Sequence, residues 1–398
     1  MKRGRSKRKL RKILRWTAKN IPMINLSLSL KNFRNHQHTE ATWGEQVNII
    51  TGPNGAGKTN LLDAIHYLCM SRSFTSSSDQ YVVHQDSSTF RIQGIFKGNI
   101  RSTFEVACTY ERGEGKKIWV NDSPLDRHTE LIGLVPVVLV SPEDKKLTSE
   151  GPVERRSFLD ALICQTSSAY LDDLIRYRKI TRQRNRLLAD TFHVPHHISD
   201  MLEPWNQQLV ETGSQIIIKR IGVIRKFLVF LSQAHMQLTG SELKPWMRYK
   251  TLCDPDIPES QVREIYAREL AKSEERELER QQTVIGPHRD DLVFFLNDME
   301  LRKFGSQGQH RIFALALKMA QLYFYSEELE DLPVFLLDDV FGDLDPQKTE
   351  IVMNMLLQHK GQSFITAAHP DKLIGVTDIG DRRIARYHVY EGKLKMEK

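Results

Sequence analysis

From Ile24 to Leu30 apolar and polar residues alternate, with Ile24, Leu26, Leu28 and Leu30 on one side, the period of a half-buried strand. A polar turn with a single aromatic is expected over 31–35. A second strand over 47–50 leads into a glycine-rich loop, and the helix after it carries Leu61, Leu62, Ile65, Leu68 and Cys69 as a core-facing stripe. Strands are expected over 91–96, 102–110, 117–120 and 135–140, with a hairpin tip at 112–115, and Ser-Pro-Glu-Asp at 141–144 ends this sheet. The period then changes. Residues 153–238 place apolar side chains three and four apart, with Pro195 and Pro204 among the few breakers. A polar link over 240–258 and a charged helical run over 259–282 complete the helical stretch.

Gly-Pro-His-Arg-Asp-Asp at 286–291 interrupts the helices, and 292–296 reads as a strand. Ser306 to Gln309 then opens a helix over 311–325 that buries Ile312, Leu315, Ala316 and Met319. Residues 334–337 form a wholly apolar strand, as expected in a parallel sheet covered on both faces, and it ends in Asp338-Asp339. Gly342 to Pro346 opens the next helix, and a strand over 363–366 points toward His369. The pattern divides the chain into an α/β head made of 23–150 and 284–398, a helical lobe over 151–283, and an extension over 1–22, expected to be disordered.

At 398 residues the chain is long for one domain, which agrees with two lobes. Four cysteines, Cys69, Cys108, Cys164 and Cys253, lie far apart with no C-x-x-C pair. That argues against a disulfide framework or a thiolate metal site and for a reduced cytoplasmic setting. No apolar run approaches a membrane span. The net charge of +7 is local, because residues 1–22 hold ten Lys or Arg and no acid, leaving 47 basic against 50 acidic side chains elsewhere. This arm reads as a nucleic-acid contact, a targeting segment, or an extension ahead of a start at Met23.

The loop over 52–59, Gly52, Pro53, Asn54, Gly55, Ala56, Gly57, Lys58 and Thr59, fits G-x-x-x-x-G-K-[ST] between a strand and a helix. Glycines let backbone N–H groups turn toward phosphate oxygens at a helix N-terminus, Lys58 reaches the outer phosphates, and the Thr59 hydroxyl binds Mg²⁺. Asp338 is placed to hold Mg²⁺ through water, and Asp339 to polarise the water that attacks the γ-phosphate. Ser306, Gly308 and Gln309 make a second phosphate-friendly helix start. One chain seldom needs two such starts for one nucleotide, so the second is expected to close over the ATP of another copy in a two-fold dimer. His369 is a candidate to report on the γ-phosphate.

In order, these motifs resemble the ABC-type ATPase heads of the SMC-like repair proteins, with a helical second lobe inserted between the phosphate loop and the signature motif, and within them the RecF family. Matching stretches are 31–35, 52–59, 71–74, 141–144 with Arg155-Arg156-Ser157-Phe158-Leu159-Asp160, 170–171, 183–185, 286–291 and 306–309. The resemblance implies an ATP-dependent homodimer that binds double-stranded DNA and single-strand/double-strand junctions, works with RecO and RecR in recombinase loading, and hydrolyses ATP weakly as a switch. It implies ATP and Mg²⁺ as cofactors, Asp338 and Asp339 at the hydrolytic centre, and Arg34 near the nucleotide. No glutamine is assigned to the metal, Gln80 and Gln85 being the candidates. DNA contact is expected from Arg178, Arg182 and Arg186, four apart in a segment with six cations and no acid. Alternatives are a transport ATPase subunit and a nucleotide-gated adaptor without turnover.

Overall fold

Two six-stranded sheets enclose the helix that follows the phosphate loop in the computed structural model, which describes residues 21–190, 198–368 and 383–397. One sheet runs, by neighbouring strands, Lys393–Met396, Ile384–Tyr390, Val47–Thr51, Ser363–Ala367, Val334–Asp338 and Val137–Val140. Its five pairings are parallel except for the hairpin of the last two strands in the chain. The other sheet is antiparallel and contains Ile24–Phe33, His36–Thr42, Thr89–Lys97, Phe104–Glu111 and Gly115–Val120.

Helix Lys58–Met70 lies in the apolar cluster that both sheets share. Leu61, Leu62, Ile65 and Leu68 are fully buried there together with Leu28, Leu30 and Phe33 of one sheet and Ile50, Leu336 and Phe364 of the other. The expected one-sided stripe is too narrow, since Ala64, Tyr67 and Met70 are buried as well. A helix covered on all sides also buries its polar residues, here Asp63 and His66.

The first strand runs on to Phe33, where a polar turn was expected, because Phe33 is fully buried and pairs with His36. The turn shrinks to Arg34 and Asn35, with Arg34 at φ 55°. Among the described residues, four strands longer than two residues had no forecast: His36–Thr42, Pro245–Lys250, Ile384–Tyr390 and Lys393–Met396. His36–Thr42 buries His36, Thr39 and Ala41 only, so little apolar alternation marks it.

The chain divides into two units, one reaching to Pro142 and resuming at Leu322, the other Glu143–Gln321. Residues 284–321, expected with the head, fall in the second unit, because strand Asp291–Leu296 pairs with Pro245–Lys250 and packs on helix Pro152–Cys164. That unit also holds helices Ser168–Ala189, Ile198–Thr239 and Glu259–Lys272. The 42-residue Ile198–Thr239 keeps Pro204 inside it, at the loss of one ladder bond.

Buried charges tie the second unit together. Arg220 donates to Asp160 at 2.8 Å, to the Pro287 carbonyl at 2.8 Å and to Tyr170 Oη at 3.0 Å. Arg184 donates to Glu277 at 2.6 Å, Asn206 at 2.8 Å and Thr283 at 2.9 Å. A Cβ on Gly286, at φ 124°, would lie 2.1 Å from Tyr266 Oη, so only glycine fits there. The four cysteines are free thiols. Among the described residues, no helix is long and apolar enough to cross a membrane.

Candidate nucleotide site

Strand Val47–Thr51 stands between two parallel neighbours and delivers the phosphate loop at the sheet's C-terminal edge, the edge at which open α/β sheets bind ligands. Gly52, Gly55 and Gly57 take φ of 146°, 79° and 113°. A Cβ on Gly52 would meet the Val389 carbonyl at 2.2 Å, and one on Gly57 would meet Asn35 Oδ1 at 2.6 Å, while Gly55 faces open space. The loop is therefore backed by protein at both ends and free at its tip.

At the Gly57 end the backing comes from the turn after the first strand. Asn35 Nδ2 donates to the Ala56 carbonyl at 3.0 Å, and Asn60 Nδ2 donates to Asn35 Oδ1 at 2.7 Å. The buried His36 ring lies 3.1 Å from the Gly57 carbonyl and 2.8 Å from that of Gly392. Burial pulls the His36 pKa below its ordinary value, and these carbonyls oppose the shift.

Lys58 Nζ donates to the carbonyls of Gly52 at 2.7 Å and Pro53 at 2.9 Å. Burial lowers its pKa against the pull of Asp339 and Asp338. The Thr59 hydroxyl donates to Asp338 Oδ1 at 2.8 Å, so the two residues expected at the metal meet although 279 positions separate them. Thr366, on the next strand, donates to the same oxygen at 2.8 Å and accepts the Asp339 N–H at 3.0 Å. Burial raises the Asp338 pKa, while the two hydroxyls act to lower it. Asp339 takes a left-handed φ of 48°, which turns the chain at the point where strand Val334–Asp338 ends. The donors offered here are hard oxygens, which suits Mg²⁺. Among the described residues no group of three His, Cys, Asp or Glu side chains forms a cage, so phosphate and water oxygens would complete the shell.

Arg34, expected near the nucleotide, is held by the phosphate-loop helix and the segment that follows it. Its Nη2 donates to Asp63 Oδ2 at 3.1 Å and Ser73 Oγ at 3.0 Å, and Nη1 donates to the Tyr81 carbonyl at 3.3 Å. Asp63 is fully buried and also accepts from Ser73 at 2.8 Å and from the Phe74 N–H at 2.9 Å. The guanidinium thus fixes the segment after the phosphate-loop helix. Gln80 and Gln85 are exposed beyond that segment.

Ser306, Gly308 and Gln309 belong to the second unit. Ser306 Oγ accepts the Gln309 N–H at 3.2 Å, and Gln309 Oε1 accepts the Ser306 N–H at 2.8 Å, a reciprocal cap on helix Gln307–Glu328. Ser306 and Gly308 are exposed. In the same unit Arg178, Arg182 and Arg186 line an open depression of about 540 Å³ with Thr181, Asn185 and His288. Arg178 also lies 3.6 Å from Asp160. Arg184, counted among the six cations of this helix, turns inward to Glu277. His369 and the basic arm up to Asn20 lie outside the described residues.

Sequence reasoning missed Asn35 and His36 under the loop and Thr366 beside Asp338. The only local signal for Thr366 was its place at the end of a buried strand.

Residues 25–384 match the sequence model of the RecF/RecN/SMC N terminal domain. The DNA replication and repair protein RecF of Salinibacter ruber is 41% identical over 351 residues, covering 87% of this chain and 85% of its own. That of Chloroherpeton thalassium is 40% identical over 343 residues, covering 85% and 93%. The recombination mediator protein RecF solved as RecF-ATPrS, in the RecFOR pathway, superposes with a TM-score of 0.87 at 31% identity, covering 96% of this chain and all of its own. The Smc head of Pyrococcus furiosus shares the fold with a TM-score of 0.55 at 14% identity, covering 94% of this chain and 96% of its own.

Phosphate loop, paired aspartates and sheet order define an ABC-type ATPase head with a helical second lobe, of the SMC-like class. By relatives of this identity over most of its length, the chain belongs to the RecF family of DNA replication and repair proteins.

Proposed function

We propose that the chain is an ATP-dependent DNA-binding protein of recombinational repair and replication-fork maintenance in the cytoplasm, which dimerises on ATP and binds single-strand/double-strand junctions. The observation that carries this reading is the convergence of Thr59 and Thr366 on Asp338 next to Lys58 and Asp339. In it, Lys58 leaves its two carbonyls for the outer phosphates, and the open Gly55 tip offers backbone N–H groups to phosphate oxygens. Mg²⁺, when bound, neutralises phosphate charge beside Thr59 and Asp338. Asp339 accepts a proton from the attacking water, oriented by the hydrogen bond of its own N–H to Thr366.

Exposed Ser306 and Gly308 suit contact with the triphosphate of a second copy, and the arginines of Ser168–Ala189 suit a phosphate backbone. A relative solved as RecF-ATP in the RecFOR pathway supports both the nucleotide and the pathway, with RecO and RecR as partners. Sedimentation with ATP and with ADP tests the reading. Dimers are expected with ATP only, and Asp339→Asn is expected to make them long-lived by stopping turnover. A chain that stays monomeric at saturating Mg²⁺-ATP with junction DNA refutes the dimer, and undiminished turnover in Asp339→Asn refutes the assignment of the base.

A further inference from the structure

The side-chain row that carries Asp338 has another member at the edge of the sheet. Strands Val137–Val140 and Val334–Asp338 are parallel, with Val137 opposite Val334 and Val140 opposite Leu337. Continuing that register by one residue sets Ser141 opposite Asp338. On the other flank Asp338 is opposite Thr366. In-register residues of parallel strands point to the same face, and residues two apart on one strand share a face.

Packing confirms which face this is. Val137, Val334, Leu336 and Phe364 lie in one cluster with Leu61, Leu62 and Ile65 of the phosphate-loop helix, and Leu139 packs against it. Ser141 follows Val137 and Leu139 at the strand's period of two, as Asp338 follows Val334 and Leu336. On that extended register Ser141 falls in one row with Asp338 and Thr366 at the C-terminal edge of the sheet, on the face packed against the helix that bears Thr59. The Thr366 hydroxyl already reaches Asp338 along this row.

We propose that the Ser141 hydroxyl completes the oxygen shell of the divalent cation at this site by binding one of the cation's water molecules. The proposal rests on the nucleotide-site reading and deepens it. Neighbouring strands lie about 4.8 Å apart, and a serine carries its oxygen one bond past Cβ, so it spans that gap through a water. It also answers which residue stands where a glutamine ligand was sought. Gln80 adjoins Asp79, whose carboxylate accepts from Tyr67 Oη at 2.7 Å. Tyr67 lies eight residues along the helix from Thr59, about 12 Å at 1.5 Å per residue. Gln85 follows His84, whose N–H donates to the Asn32 carbonyl at 2.8 Å, in the other sheet.

The test uses Mn²⁺ and ATPγS with the full chain, bound Mn²⁺ being read by electron paramagnetic resonance. Each variant's Mn²⁺ affinity is referred to its own nucleotide binding in EDTA. Ser141→Val and Ser141→Thr have the same shape and differ in the hydroxyl. Loss of a residue that holds a metal's outer shell typically weakens metal binding about tenfold or more, which is expected for Ser141→Val, with Ser141→Thr staying near wild type. Should the valine variant fail to fold, Ser141→Ala reads the same loss. Wild-type Mn²⁺ affinity in the hydroxyl-free variants overturns the proposal, as does an equal loss in valine and threonine variants. A wild-type chain that binds neither nucleotide nor Mn²⁺ overturns the nucleotide-site reading together with it.

Discussion

Replacing Thr366 by valine removes one hydroxyl and conserves shape, in a strand where Thr366 is 1% exposed. With it go the donation to Asp338 at 2.8 Å, a longer one to the Leu337 carbonyl at 3.5 Å and the acceptance from the Asp339 N–H at 3.0 Å. A hydrogen bond to a charged group contributes about 1.5–3 kcal/mol. Losing it takes away an interaction that favours the charged form, so the Asp338 carboxyl moves further up. Burial has already raised that pKa, so the group stays protonated to still higher pH. A carboxyl whose folded pKa lies above its unfolded one favours folding at low pH and loses that contribution as pH rises through the folded value. Thr366→Val is therefore expected to be more destabilised at pH 8 than at pH 4, by about 1.5–3 kcal/mol in urea unfolding. The acid limb of Mg²⁺-ATP turnover should move alkaline. An acid limb that does not move, with a pH-independent stability difference, would refute the role given to this hydroxyl.

Arg184→Met should cost about 3–5 kcal/mol, because it leaves the fully buried Glu277 carboxylate without its cation. The double variant Arg184→Met, Glu277→Leu should recover most of that loss in urea unfolding. His288 is held neutral, its pKa lowered to about 4 chiefly by burial. It contributes stability present above its unfolded value of 6.5, which fades as pH falls from there through about 4. His288→Gln should flatten thermal stability across that window. Reversing Arg178, Arg182 and Arg186 to Glu should weaken junction binding and shrink the slope of log K against log salt by roughly 0.9 for each DNA phosphate the protein no longer neutralises. An unaltered slope removes these arginines from the DNA-contacting set.

The phosphate loop was legible in the sequence because its chemistry is local, as glycine spacing, lysine and hydroxyl all fall within eight residues of one turn. The aspartates were legible because a wholly apolar strand ends on them. Thr366 could not be read in the same way, since strand register brings it beside Asp338 and no spacing along the chain encodes that register. The arginine helix shows the opposite error. Six cations without an acid look like one charged surface, but Glu277 lies 93 positions away and takes Arg184 into the core. His36–Thr42 escaped detection because two of its three buried positions are polar, and their partners, the carbonyls of Gly57 and Gly392, come from distant turns.

The hairpin of Ile384–Tyr390 and Lys393–Met396 sets the order in which the nucleotide loop can mature. Its Val389 carbonyl sits where a Gly52 side chain would be, and the Gly392 N–H donates to the Ala56 carbonyl at 3.0 Å. During synthesis, residues 52–59 leave the ribosome early, yet their supporting wall arrives more than three hundred residues later. A nascent chain stalled before Val389 holds the complete phosphate-binding sequence without the surface that shapes it, so nucleotide capture is expected only from chains translated past that hairpin.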